Sequence, residues 1–166
     1  MKMKFLMLLL LLLTCFAGRA ALQHKLDKEA YYKVMSSGNL DEINNELEVV
    51  KATTINDKEG YEGALLMRKA GLMSRPKDKL ANFKQGRIKL ETALLNHDEN
   101  TELHFLRLTI EEHAPKIVKY RSDIQKDKGI IVRSFKNLSP EVQHAILDYS
   151  KTSKVLTADE LKSGRE

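Results

Sequence analysis

The stretch from Glu62 to His113 constrains this chain most, because it holds three helical patterns joined by only two short polar turns. Its apolar residues recur at three- and four-residue spacing, the period of a helix that buries one face. The same spacing runs through most of the chain, and only 8 Gly and 3 Pro occur in 166 residues. No segment alternates apolar and polar residues for long enough to make a half-buried strand. The chain therefore reads as all-α, a single domain of about eight short helices packed as antiparallel hairpins.

Taken in order, the first helix is expected over Asp27 to Met35 and ends at Ser36-Ser37-Gly38. Asn39 is placed to cap the second, with Glu42 three residues on to complete a capping box. Leu40, Ile43, Leu47 and Val50 form its apolar stripe. After a polar turn, Thr53 to Gly60, a third helix is expected from Tyr61 to Ser74, closed by Arg75-Pro76. The fourth runs from Asp78 to Asn96, with Leu80, Phe83, Leu90 and Leu94 in one arc edged by Gly86 and Ala93. Two small residues two turns apart invite a neighbouring helix to approach closely. Thr101 is expected to cap the fifth helix. There Leu103, Leu106 and Ile110 face one way, while Phe105 and Leu108 face another. A helix apolar on two sides is sandwiched, and His104 and Glu111 are left as its narrow polar strip. Pro115 then opens a helix through Ile117, Tyr120, Arg121 and Ile124, with Gly129 breaking the pattern before Ile131 and Phe135. Ser139-Pro140 starts the next, and Thr157 with Glu160 makes a second capping box before a short last helix.

The first twenty residues have a different purpose. A basic start (Lys2, Lys4), an unbroken apolar run from Phe5 to Leu13 and small residues around Ala17 to Ala21 make a secretory signal peptide, cut after Ala20. The run falls short of the roughly 20 residues of a spanning helix. The expected division is a signal peptide over 1–20 and a helical domain over 21–166, exported to the periplasm or secreted. Removal of the signal takes Lys2, Lys4 and Arg19 from the 28 basic residues, leaving 25 against 23 acidic ones. The mature chain thus carries +2 in place of +5, a mixed surface with no pull towards polyanions. Nucleic-acid binding is further disfavoured by the 6% aromatic content. The single cysteine, Cys15, lies in the signal, so no disulfide is expected. Leu12-Leu13-Thr14-Cys15 is similar to a lipoprotein cleavage motif, apart from Thr14 before the cysteine, and lipid anchorage at Cys15 is the alternative reading.

Gly86, Leu90 and Ala93, followed by the polar link His97-Asp98-Glu99-Asn100, carry the small–large–small spacing of the second helix of a tetratricopeptide repeat. The stretch resembles a tetratricopeptide-like hairpin. Pro76 falls where the first helix of that repeat would run on, and no second copy recurs at a fixed period. The plan of a signal peptide and one hairpin-rich domain also resembles exported bacterial proteins. The resemblance implies an irregular helical-hairpin fold with a groove that takes a protein or peptide.

Candidate chemistry is sparse. The mature chain has no cysteine, no Gly-x-Ser-x-Gly and no glycine-rich phosphate loop. His97, His104 and His113 with Asp98, Glu111 and Glu112 are the one cluster to weigh as a metal site. His104, however, has Arg107 and Leu108 where a second ligand on its helix would stand. A metal-dependent protein or enzyme using the His104–His113 region is the alternative function, and the leading expectation is a non-enzymatic protein without cofactor or metal. Arg87 and Arg107 each fall inside an apolar arc, on consecutive helices. Either their stems cover the core edge while the heads pair with Glu91, Glu62 or Glu111, or they line a groove and grip a carboxylate. Lys77, Lys79 and Lys84 add a basic rim. Arg87, Arg107 and Lys84 are therefore the expected partner-binding residues of a scaffold module that docks another envelope or secreted protein.

Overall fold

The computed structural model describes residues 25–164. The predicted signal peptide and Cys15 lie outside the described residues. Among those residues the chain forms eight α-helices and no strand. They are α1 Lys28–Ser36, α2 Leu40–Ala52, α3 Lys58–Leu72, α4 Pro76–Asn96, α5 Thr101–His113, α6 Ile124–Ser134, α7 Pro140–Ser150 and α8 Ala158–Ser163, with 3₁₀ turns at Lys116–Val118 and Phe135–Asn137. No helix among the described residues is long and apolar enough to cross a membrane. The all-α reading holds.

Local chemistry sets the helix boundaries. Asp27 Oδ1 accepts from Ala30 N at 3.0 Å to start α1. Asn39 Oδ1 accepts from Asp41 N and Glu42 N to start α2. Glu42 returns a contact to the Asn39 side-chain amide at 3.3 Å, where a full capping box would reach the backbone. Thr157 and Glu160 do complete a capping box at α8. Two boundaries differ from expectation, and a third falls where expected without its side-chain cap bond. Pro76 opens α4 at its first turn, where a missing N–H costs nothing. Asn100, in place of Thr101, caps α5, because its Oδ1 reaches Glu102 N and Leu103 N at 3.0 and 3.2 Å. Ser139 stands at the cap of α7 but makes no side-chain bond there.

The larger correction follows Pro115. The Ile117–Ile124 spacing does not form a helix; a 3₁₀ turn ends at Lys119 with φ 48°. This reversal leaves Ile117 88% exposed and buries Tyr120 against Phe83 of α4, ring edge to face at 5.7 Å. Gly129 does not break α6 but lies buried inside it. One mid-helix glycine costs about 1 kcal/mol, less than the packing of Ile131 and Val132 beside it returns.

α3 and α4 form the tightest pair. Gly60 faces Ala93, and Gly63 faces Leu90 and Gly86, so the two helices run antiparallel. A Cβ on Gly86 would meet the Gly63 carbonyl oxygen at 2.5 Å and Met67 N at 2.9 Å, and one on Gly63 would meet Leu90 N at 2.6 Å. Backbone meets backbone there, as the small residues of α4 imply. α2 packs on the other side of α3 through Ile43, Leu47 and Val50.

Two apolar clusters then share α5. Leu103, Leu106 and Ile110 join α1 to α4 in one. Phe105 and Leu108 join Ile131, Val132, Phe135, Val142, Ile146, Leu156 and Leu161 in the other. α5 is the sandwiched helix that its two-sided pattern predicts. Burial goes further than the pattern, because its polar strip is covered as well: His104 is 1% exposed and Glu111 0%.

Candidate functional site

The groups with chemical potential fall into an ion cluster buried between α5 and α6, a cleft at the helix N-termini, and the outward face of α4. The ion cluster centres on Asp127, which is fully buried on α6. Arg107 grips it with two bonds, Nε to Oδ2 at 2.8 Å and Nη2 to Oδ1 at 2.6 Å. Arg107 Nη1 donates to Glu91 Oε2 at 3.0 Å, and the Tyr120 hydroxyl donates to the other Glu91 oxygen. Burial works against the Arg107 charge, but the Asp127 bonds and the charges of Asp127, Glu91 and Asp123 raise its pKa above the usual value. Burial and Glu91 likewise push the Tyr120 hydroxyl up, so it stays a donor. Arg107 is thus spent inside the fold, a correction to its expected place on a partner surface. Glu91 is one of its expected partners, but Asp127 holds it most firmly, and sequence spacing alone could not have named a residue 20 positions away.

His104 completes the cluster. Its Nδ1 lies 2.7 Å from Asp127 Oδ1, and its Nε2 lies 2.7 Å from the Asp98 carbonyl oxygen. An aspartate on Nδ1 is also how a catalytic triad orients its base. In a triad, however, Nε2 meets a nucleophile, whereas here a backbone carbonyl closes that side. Both ring nitrogens face acceptor oxygens and the ring is 1% exposed, so neither nitrogen is open to a substrate. The other candidate histidines are scattered. His97 pairs with Asp57 of the α2–α3 link, and this contact raises its pKa. His113 is exposed, with Nδ1 3.0 Å from Thr109 O on its own helix. Among the described residues no three His, Cys, Asp or Glu side chains are grouped as a metal site requires.

Two neighbouring glutamates have opposite fates. Glu111 is buried beside the cluster and pushed up to about 7, first by desolvation and then by the charges of Asp127 and Asp123. Its Oε1 accepts from Asp123 N at 3.2 Å, and its Oε2 has no hydrogen-bond partner among the described residues. Glu112 accepts from the Tyr149 hydroxyl, the Ser153 hydroxyl and Lys154 N, and these bonds outweigh its burial to hold it below the usual carboxylate range. Glu112 ties α5 to the α7–α8 link.

A cleft of about 360 Å³ opens where α1, the start of α3 and the start of α5 meet. Lys28 donates to both Glu102 oxygens at 2.8 Å and to the Tyr61 hydroxyl, and the Tyr32 hydroxyl donates to Glu102 at 2.7 Å. Asp57 on its far side bonds Asn100 at 2.7 Å. Lys28 is thus paired with Glu102 and Asp57 with Asn100 and His97, contacts that tie the helix ends together.

The outward face of α4 differs in kind. Leu80, Ile88 and Leu95 are 50%, 67% and 83% exposed, although Leu80 is expected in the buried arc. The core takes Leu90, Ala93 and Leu94 from α4 with Phe83 at its edge, so the first turns have no second layer. Arg87, also predicted in the arc, is exposed and lies over the Tyr120 ring at 5.0 Å. Lys84 is exposed and pairs with no carboxylate among the described residues. The structure thus puts Lys84 and Arg87 on one surface and separates Arg107 from them.

No family model, curated protein or solved structure matches this chain.

Proposed function

We propose that this is an exported, non-enzymatic protein-binding module that docks an envelope or secreted partner through the outward face of α4. The supporting observation is that face itself: three large apolar side chains in water beside the cations Lys84 and Arg87. Water-exposed isoleucine and leucine flanked by cations suit a contact in which the apolar residues are buried and the charges set orientation. The remaining polar groups argue the same way by default, since His104, Asp127 and Arg107 are spent on one another. The export segment adds that the partner is met outside the cytoplasm.

The test is capture from the cell envelope by the immobilised mature chain, compared with Ile88→Asp and with Lys84→Glu/Arg87→Glu. The expected result is one protein retained by the wild type and lost by both variants, with helical content unchanged. Retention by both variants at wild-type level would overturn the α4 assignment.

A further inference from the structure

The α4 face has a counterpart on the same molecule. α3 lies between α2 and α4, and both neighbours turn their buried sides toward it. Their outward faces therefore point away from α3 in different directions. These faces carry opposite charge. On α4, Lys77, Lys84 and Arg87 are exposed on this face, while the helix's two acids are half-buried and paired, Asp78 with Arg75 and Glu91 with Arg107. On α2, Asp41, Glu42 and Glu48 are exposed, and the one exposed cation, Lys51, is paired to Glu48 at 2.8 Å.

Each face also holds apolar surface in water. Val49, 50% exposed, stands beside Ala52 on α2, and Ile88 and Leu95 stand on α4. On α2 the outward row Asp41, Asn45, Glu48, Ala52 follows the i, i+4, i+7, i+11 spacing of one helix face. Lys77, Ala81, Lys84, Ile88, Thr92 and Leu95 make the matching row on α4. The rows can lie side by side, acids against lysines and Val49 toward Ile88.

We infer that the chain associates with itself head to tail, the α2 face of one copy docking on the α4 face of the next. Two different patches on one molecule make a heterologous contact, which grows into rings or open filaments and does not stop at a symmetric dimer. The contact is modest, since few apolar groups are buried, and its charges are exposed, so it weakens with salt. It rests on the reading of α4 as a docking surface and names a second copy as occupant.

Sedimentation velocity of the mature chain tests this across concentration, at low and high salt. The wild type is expected to show concentration-dependent species larger than monomer, shrinking as salt rises. Lys84→Glu/Arg87→Glu and Asp41→Lys/Glu48→Lys, each folded by circular dichroism, are each expected to associate roughly tenfold more weakly alone. Mixed together they are expected to recover association, because the acidic α4 of one then meets the basic α2 of the other. A wild type that stays monomeric at low salt and high concentration overturns self-association, as does a mixture no better than its components. If α4 variants still lose an envelope partner while the wild type is monomeric, the proposed function stands and only this inference falls. If self-association holds but α4 variants capture the envelope partner normally, the reverse applies.

Discussion

Arg107 and Arg87 show the same sequence signature, an arginine inside an apolar arc, and they end in opposite environments. Around Arg107, α6 lays Asp127 over the arc, and two short bonds join the pair in a buried site. Around Arg87 the arc is covered only in part: Leu90 and Leu94 are buried, while the guanidinium lies at the surface against the Tyr120 ring. The first region is internally complete, with donors and acceptors matched apart from one oxygen of Glu111. The second is incomplete, with apolar side chains left in water. An arc on a helical wheel says which way a side chain points. It says nothing about what stands opposite.

The sharpest way to break this contrast is to open the complete side. Asp127→Ala leaves Arg107 and His104 in the core without their acceptor, and a buried charge that loses its partner costs about 3–5 kcal/mol. Urea unfolding should show a loss of that size, and a loss below about 1 kcal/mol would mean that the cluster is open to water.

Glu111 comes next, because it is the weak point of the buried region. Its folded pKa, about 7, lies above the usual 4.5. The folded state therefore holds a proton that the unfolded chain releases between those values. Stability falls as pH rises through that window, and the cost is complete above it. Glu111→Gln should remove the slope and stabilise the protein at pH 8 by on the order of 1–3 kcal/mol. The side-chain carbonyl of the glutamine still accepts from Asp123 N. Thermal melts of both proteins at pH 5 and pH 8 would show it, and equal pH slopes would discount Glu111. The raised pKa of His97 acts in the same direction, its pairing with Asp57 being lost as pH rises.

The smallest effect belongs to the exposed side. Ile88→Asp should change stability by less than about 0.5 kcal/mol, since the side chain covers nothing in the monomer. A larger loss in dilute solution would mean that α4 is covered and that the two regions are less different than they look.

Much of this architecture is visible in the residues. The two-sided pattern of Leu103, Leu106 and Ile110 against Phe105 and Leu108 places α5 between two clusters, and it lies there. Gly86 and Ala93 foretell a close neighbour, and Gly63 of α3 meets Gly86. The segment after Pro115 is where periodicity misleads. Ile117, Tyr120 and Ile124 are spaced for a helix, but burying Tyr120 against Phe83 and Glu91 requires a reversal at Lys119. The polar cluster was half legible. His104 and Arg107 stand out on α5, while Asp127 stands in a polar run, Gln125 to Lys128, that reads as surface.

Helix positions, most caps and the division of α5 into two apolar sides follow from the order of residues, because propensity, capping and 3.6-residue periodicity act over a few positions. Which charges are buried together, and which apolar face is left uncovered, depends on partners 16 to 20 residues apart, as Glu91 and Asp127 are from Arg107. Desolvation and pairing are properties of a place in the assembled core, so only the packing of α6 on α5, and its absence over the outer face of α4, could decide them.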